Sequence, residues 1–539
     1  MKKLLATIIK EAIRRKCKSP EDFEKLKKEI SKRFKTATPR NADIKRFGLE
    51  EFQELHSRKE KAEPWKNFEK ILKSKKVRTF SGVAVVAVLT KPYPCRGKCL
   101  YCPTEAEIPK SYLSNEPAVM RAVSVKFNPY QQVQKRLRAL EINGHDTSKI
   151  ELIIMGGTFS DLPRKYQYWF VKECYRAAND YPTSRLGNSV SKLTKEQKRN
   201  EKAKHRIVGL TLETRPDTLD GKEIESYREL GCTRVEIGVQ SIYDDVLEKN
   251  RRGHSVEQTV KATKLLKDAG FKVSYHLMPG LWGSNFKKDI EIFQIIFSDS
   301  RFQPDLVKIY PCVVTQNSAL YNLWKKKKYK PLTNQQTEKL IIAIKKIIPP
   351  YVRISRLIRD IPDTSIVAGP NISNLRQIIQ NKGINCQCIR CREVRGSYTN
   401  QEKITLRKID YDASDGKEIF LEYCSPDYKK LYSMLRLRIT SSFRRPTSKK
   451  NERLSLGISE RTAIIREVHT YGKLVPIGAR EKKSPQHAGL GKKLIKRAEQ
   501  IAKEEFGCQK IAVIAGIGVR EYYRKLGYRL QDTYMVKKL

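Results

Sequence analysis

Three cysteines, Cys95, Cys99 and Cys102, stand in a C-x3-C-x2-C spacing inside the stretch from Lys91 to Pro103, which reads KPYPCRGKCLYCP. Three thiolates on one short loop can hold three irons of a four-iron cluster and leave the fourth iron open. An open iron can bind and reduce S-adenosylmethionine. The same thiols could form a zinc knuckle short of one ligand, or hold no metal, although knuckles usually use C-x2-C pairs with a fourth Cys or His. A second sulfur group follows at Cys386, Cys388 and Cys391, with Cys312 as the candidate fourth ligand. Four thiolates in a tetrahedron suit structural zinc, which would clip a linker lacking its own core. A second iron–sulfur cluster or free thiols are the other readings. The five remaining cysteines, Cys17, Cys174, Cys232, Cys424 and Cys508, are isolated and read as inert.

Other residues suited to ligand contact fall where strands are expected to end. Gly156 and Gly157, in MGGTF, let the backbone approach a ligand so that a carbonyl can accept from an amino group. Glu213, in LETRPD, could hold a ribose or an amino group. Gly238 and Gln240, in EIGVQS, close the fourth expected strand, and Tyr275 to Gly280 reads YHLMPG at the end of the fifth. Each alone is an ordinary strand-to-helix turn; their shared placement around the cysteine loop is the signal. Far downstream, Gln486-His-Ala-Gly489-Leu-Gly491-Lys492 gives Q-x-x-G-x-G, the loop that opens a helix in acetyltransferases. Its glycines expose N–H groups and the helix dipole favours a pyrophosphate, so coenzyme A is the expected ligand. A glycine-rich helix cap is the plainer reading. Tyr522 and Tyr523, in EYYRKLGY, could contact a thioester or act as an acid on the leaving sulfur.

These residues need elements to position them. Apolar β-branched runs at Val83–Leu89, Ile150–Met155, Ile207–Leu212, Arg234–Val239, Val273–Leu277 and Leu306–Tyr310 read as strands. Helical stretches such as Tyr130–Leu140, Asp220–Leu230, Val256–Ala269 and Asp289–Phe297 lie between them. Strand–helix alternation implies a parallel sheet with helices outside, and six units suggest a partial (β/α)6 barrel whose chemistry sits at the strands' carboxyl ends. From about Glu402 the pattern turns α+β. Strands are expected at Lys403–Arg407, Glu418–Tyr423, Ile464–Val468, Leu474–Ile477 and Ile511–Ala515. A helix is expected near Asp427–Leu435 and another at Lys493–Glu505. The divisions are a basic helical region over 1–76, the barrel over 77–370, a zinc-binding linker over 371–400 and a second catalytic domain over 401–539.

The 539 residues carry 109 Lys and Arg against 59 Asp and Glu, a formal net charge of +50. That one-sided excess points to a polyanion partner, because each neutralised phosphate releases counterions and adds affinity. Residues 1–80 alone hold 25 basic and 12 acidic side chains, with helical periodicity in Leu4, Ile8, Ile9 and Ile13 and again from Glu21 to Phe34. This reads as a basic arm for RNA backbone. No apolar run is long enough to span a bilayer. The first residues, MKKLLATIIKEAIRRKCK, interrupt any secretory core with Glu11 and Arg14, so a cytoplasmic protein is expected.

The order of cysteine loop, GGTF, LETRPD, HLMPG, REVHTYG, QHAGLGKKL and YYRKLGY resembles the catalytic subunit of Elongator in its archaeal form. The resemblance covers nearly the whole chain. It implies a radical S-adenosylmethionine barrel followed by a GNAT domain binding acetyl-CoA, a zinc site, and acetyl or carboxymethyl transfer to C5 of the wobble uridine in the tRNA anticodon stem-loop. Carried over, Cys95, Cys99 and Cys102 ligate a [4Fe-4S] cluster. Glu467, Val468, His469 and Thr470 line the acetyl-CoA site as its strand edge. Leu490, Gly491 and Lys492 bind the pyrophosphate, Tyr523 sits at the thioester end, and Lys149 reaches the coenzyme from the barrel. One departure is Leu281-Trp282-Gly283, where the family often has LPG. Protein lysine acetylation is the alternative activity, and a tRNA-binding scaffold with vestigial sites a third reading. A homo-oligomer and accessory subunits remain open.

Overall fold

Seven strands are hydrogen-bonded in the order of the chain and all run parallel: β1 Ala84–Leu89, β2 Lys149–Met155, β3 Arg206–Thr214, β4 Arg234–Gln240, β5 Lys272–Leu277, β6 Leu306–Ile309 and β7 Arg353–Arg356. Because β1 and β7 do not pair, the sheet curls into an open half-barrel. The computed structural model describes residues 2–17, 19–39, 41–52, 81–183, 190–395, 402–440, 462–472 and 489–539. The seventh strand is an addition to the six expected. Arg-Ile-Ser-Arg is short and polar and forms a strand only because β6 offers it an edge.

Helices cover the outer face of this sheet. Their starts are fixed locally: Asn128 caps the helix Pro129–Ile142, and Ser255 with Gln258 and Thr333 with Gln336 form capping boxes for Val256–Asp268 and Asn334–Ile347. Alternate residues of each strand pack beneath them, as Val235, Ile237 and Val239 of β4 do, all fully buried. The other alternate residues face the lumen, and there the strands carry charge: Glu151, Glu213, Arg234, Glu236, Lys272, His276 and Lys308.

The second sheet has the order β13-β14-β12-β11-β10-β9-β8. Its strands are β8 Thr405–Ala413, β9 Gly416–Cys424, β10 Leu431–Ile439, β11 Thr462–Thr470, β12 Lys510–Val513, β13 Arg529–Gln531 and β14 Tyr534–Lys538. Neighbours are antiparallel except for β11 and β12, which are parallel. The helix Leu490–Glu504 packs Leu494, Ala498 and Ile501 against one face. The helix expected near Asp427–Leu435 is instead the turn before β10 and β10 itself. Every residue of β10 is buried, including Arg436 and Arg438, so a central strand buried on both faces hides its period behind paired arginines. The expected strand Leu474–Ile477 and residues Gln486 to Ala488 lie outside the described residues.

At the start of the chain, helices Lys2–Arg14, Pro20–Arg33 and Asn41–Phe52 bury Leu4, Ile8, Ile9, Phe23, Leu26, Ile30 and Ile44 against one another. Their basic side chains mostly stay outside, and Lys45 reaches the barrel's helix Pro129–Ile142 by donating to the Glu141 carbonyl at 3.4 Å.

The second sheet docks on the amino ends of the barrel strands through buried ions. Arg466 makes two hydrogen bonds to Asp305, at 2.5 and 2.8 Å, and a third to Glu418 at 2.9 Å. Arg438 reaches Asp268 at 2.6 Å, and Arg436 bonds Glu467 at 3.0 Å while lying 3.4 Å from Asp305. Lys267 stands 3.7 Å from both Asp305 and Glu418. Glycine permits the closest backbone approach: a Cβ on Gly516 would stand 2.1 Å from the Val208 carbonyl oxygen of β3.

Candidate functional site

β1 delivers the chain into the cysteine loop at the carboxyl end of the half-barrel. The Gly97 amide lies 3.4 Å from Cys95 Sγ and Thr158 Oγ1 3.9 Å from it, while Arg252 Nη1 approaches Cys99 Sγ at 3.6 Å. A second guanidinium, Arg215, is 3% exposed, and its Nη1 has no partner and lies 2.6 Å from where a Cβ on Gly97 would be. Two buried cations against three thiols are what a cluster made anionic by its thiolates requires. Cys99 Sγ and Cys95 Sγ lie 3.5 and 3.6 Å from where a Cβ on Gly97 would be, so the two sulfurs flank that glycine.

The strand ends beside this loop behave as expected in kind. Gly156 and Gly157 have φ of +141° and +92°, and a Cβ on Gly156 would meet Thr90 Oγ1 at 2.0 Å. Glu213 accepts from the Tyr112 hydroxyl at 2.6 Å and lies 3.6 Å from Lys308 Nζ. Gln240 holds φ +67° at a break in the β4–β5 register, with its Oε1 buried and unpartnered. A polar residue held in that backbone region at a strand end is fixed there by its surroundings, which keeps Gln240 among the candidate contact residues. Gly238 is glycine because Arg252 Nη2, 2.6 Å from a Cβ there, donates to its carbonyl.

Cys386, Cys388 and Cys391 bring their sulfurs within 4.8 Å of one another, and Lys345 Nζ stands 3.2 Å from Cys391 Sγ. Tetrahedral thiolates about 2.3 Å from one ion would be roughly this close. Cys312 is not with them. It is fully buried in a separate apolar cluster with Val246, Leu281, Val314, Leu320 and Tyr329, because the turn after β6 carries it under the loop 278–283. The four-cysteine set expected from the sequence is therefore three.

In the second domain, β11 and β12 pair only from Thr462 to Ile465 and then part. The freed edge of β11 faces the amino end of the helix Leu490–Glu504, whose cap Gly489 takes φ +70°. A Cβ on Gly491 would lie 3.4 Å from Thr470 Oγ1, 3.7 Å from Val468 and 3.8 Å from the Tyr522 hydroxyl. Strand edge, glycine helix start and tyrosine thus bound one slot, with Lys492 exposed beside it. Orphan N–H groups of a helix start suit a pyrophosphate. Alternation along β11 splits the four expected residues: Val468 and Thr470 face the slot, while Glu467 and His469 face the barrel. Glu467 bonds Arg436 and lies 3.4 Å from Lys272, and these cations hold its carboxyl down to about 2. His469 Nε2 is 2.6 Å from the Ser81 carbonyl. Tyr523 is buried in the domain core against Tyr528, so Tyr522 is the slot tyrosine. Lys149 starts β2 at the barrel end that receives the second domain, where burial lowers its ammonium to about 8.

An open parallel half-barrel with three cysteines in C-x3-C-x2-C spacing at its carboxyl end, fused to a sheet that splays beside a glycine helix start, defines a radical S-adenosylmethionine enzyme joined to a GNAT acetyltransferase. Comparison with known proteins agrees. The Radical SAM superfamily matches residues 93–295, the Radical_SAM C-terminal domain 304–383, and the Acetyltransferase (GNAT) family 482–528. The tRNA uridine(34) acetyltransferase of Methanocaldococcus infernus is 43% identical over 100% of this chain and 99% of its own length. Elongator complex protein 3 of Homo sapiens is 38% identical over 87% of this chain and 86% of its own. The solved structure of the Methanocaldococcus infernus Elp3 lacking residues 1–46 superposes with a TM-score of 0.72 at 44% identity, covering 85% of this chain and 99% of that one. This chain belongs to the Elongator complex protein 3 family of tRNA uridine(34) acetyltransferases. The family's two domains imply a [4Fe-4S] cluster with S-adenosylmethionine, and acetyl-CoA.

Sequence reasoning missed Arg215, Arg252, Tyr112, Glu236 and Lys308. The first two sit in LETRPD and NRRGH, where a basic residue inside a buried turn was the available sign.

Proposed function

We propose that this chain modifies C5 of the wobble uridine of tRNA, drawing the two-carbon unit from acetyl-CoA. The observation that carries the reading is the fusion itself: the cysteine-loop barrel and the coenzyme slot are locked together by buried ions in one polypeptide. An acetyl transfer to an amine would not need a reductive cluster, so the lysine-acetyltransferase alternative leaves the barrel without a role. When bound, the reduced cluster and S-adenosylmethionine supply a radical able to take hydrogen from an acetyl methyl group.

The chain's own residues do the rest. Cys95, Cys99 and Cys102 would hold the cluster, with Arg215 and Arg252 offsetting its charge. Gly156, Gly157, Glu213 and Gln240 would hold S-adenosylmethionine at the strand ends. Leu490, Gly491 and Lys492 would seat the coenzyme pyrophosphate, with Val468 and Thr470 along the pantetheine and Tyr522 near the thioester. The helices of residues 2–52 and the +50 balance would hold the tRNA backbone. Cys386, Cys388 and Cys391 would hold a structural zinc ion whose fourth ligand is not one of this chain's cysteines. No described helix is long and apolar enough to cross a membrane, which suits an enzyme acting on tRNA in the cytoplasm.

The test supplies reduced enzyme with S-adenosylmethionine, tRNA and acetyl-CoA labelled in the acetyl group. Label at C5 of the wobble uridine is expected. An enzyme with intact cluster that labels only lysines of added peptides would overturn the reading.

A further inference from the structure

The lumen of the half-barrel is not packed like a core. A continuous file of charged side chains runs through it from the cysteine-loop end to the second domain. Tyr112 bonds Glu213; Lys308 bridges Glu213 and Glu236; His276 Nε2 stands 3.1 Å from Glu236. Arg234 lies 3.6 Å from Glu236 and 2.5 Å from Glu151, and Glu151 in turn feels Lys272 and His469. Lys272 closes the file on Glu467 of β11, at 3.4 Å. Register places Glu213, Glu236 and Ser274 at one level on three neighbouring strands, with His276 and Lys308 paired one step above.

Two observations say that this space receives a ligand. The Ser274 hydroxyl is fully buried and makes no hydrogen bond, although it sits among ions. A buried hydroxyl left unmade costs stability unless something supplies its partner. The lumen-facing residues of β2, Glu151, Ile153 and Met155, are only half-buried, and Val85 of β1 keeps 36% exposure, so the lumen is open on that side. The three acid and imidazole groups that could hold a metal, Glu213, Glu236 and His276, already have a resident cation in Lys308.

Resting on the two-cofactor reading above, we propose that this lumen is the acyl site of the enzyme: Lys308 and Ser274 donate to the acyl oxygen of the two-carbon unit, and Glu236 and His276 hold Lys308 in place. The site lies between the strand face carrying Glu467 and His469, whose opposite face lines the coenzyme slot, and the strand ends where a radical would arise. An ammonium held by two carboxylates stands one register step from an unpartnered hydroxyl on the neighbouring strand, a pair of donors that suits a carbonyl oxygen gaining charge as its methyl carbon reacts. The same two donors would equally accept a uracil carbonyl; the file's end on β11 favours the acyl group.

The experiment compares Ser274→Ala and Lys308→Met with the unaltered holoenzyme. Ser274→Ala removes a hydroxyl that bonds nothing, so its melting temperature should not fall, which separates site from scaffold. Expected is about a tenfold drop in kcat for uridine modification with Ser274→Ala, as for one lost hydrogen bond, and ~100-fold or more with Lys308→Met, as for one lost charge-stabilising donor. Acetyl-CoA affinity, iron content and KM for tRNA should hold, while 5′-deoxyadenosine released per uridine modified rises in both. Full coupling in Ser274→Ala would overturn the proposal, as would a KM for tRNA raised with coupling intact, which would give the lumen to the base. An unaltered enzyme that labels no uridine would instead refute the underlying function.

Discussion

Asp305 carries the docking of the two catalytic domains, and its replacement by Asn gives a prediction with a magnitude and a sign. Its carboxylate accepts from both Arg466 nitrogens and from the Val273 amide, and it lies within 3.7 Å of Arg436 and Lys267. All five groups are buried, so the cations have no water to turn to. Asn keeps the shape but presents an amide to Arg466 and removes one of the two anions, with Glu418, that Arg466 and Lys267 share. Breaking one partner out of a buried ion pair costs about 3–5 kcal/mol. For a barrel of roughly 290 residues, at about 2.1 cal/mol/K of unfolding entropy per residue, that lowers the melting temperature by ~5–8 °C. The pH dependence follows from Arg466 beside Asp305, which with Lys267 and Arg436 holds the carboxyl well below its ordinary value of about 3.9. A carboxyl depressed on folding adds stability above its unfolded value and loses it as pH falls through the folded one. The gap between the two proteins should therefore be full at pH 7 and shrink below about pH 4. Melting curves by circular dichroism at pH 7 and at about pH 3, a full unit below the unfolded carboxyl's value, read this directly. A shift under ~2 °C at pH 7, or a gap that widens on acidification, would show that the interface does not depend on this carboxylate.

Three further outcomes follow from the site. Gly491→Ala should keep or raise the melting temperature, since Ala favours a helix start over Gly by up to about 1 kcal/mol. Its methyl would stand in the slot beside Thr470, so the Kd for acetyl-CoA by calorimetry should rise at least ~10-fold, on the scale of a lost close contact; unchanged affinity would put the coenzyme elsewhere. Cys388→Ser should remove one zinc per chain by elemental analysis while iron stays at its full content; lost iron with retained zinc would exchange the roles of the two cysteine sets. Gly516→Ala puts a methyl 2.1 Å from a backbone oxygen of β3 and should cost about 1–3 kcal/mol by overpacking. Gly507→Ala, open on all sides but at φ +61°, gauges the backbone strain alone, and equal melting of the two variants would deny the contact.

What the sequence made legible was local. The cysteine loop, the glycine pairs and the glycine-opened helix of QHAGLGKKL each depend on residues within a few positions of one another, so spacing carries them. What it hid was longitudinal contact between distant strands. Glu213, Glu236, His276 and Lys308 stand on β3 to β6, spread over some 95 positions, and only parallel register sets them at neighbouring levels. Periodicity even disguised them, because a strand with one face under helices and one face in a charged lumen alternates as a surface strand would. The same blindness misplaced β10, whose arginines are paired with acids from both domains: Glu467 and Glu418 of its own sheet, and Asp305 and Asp268 of the barrel. It also merged the four residues of β11 into one edge, although a period of two must send Glu467 and His469 opposite to Val468 and Thr470. That split has a functional consequence. One strand lines the slot with its first face and meets the barrel with its second, so slot and lumen are separated by the thickness of a single backbone. A carbon passing between them must go round the edge of β11 that β12 leaves free, because β10 holds the other edge.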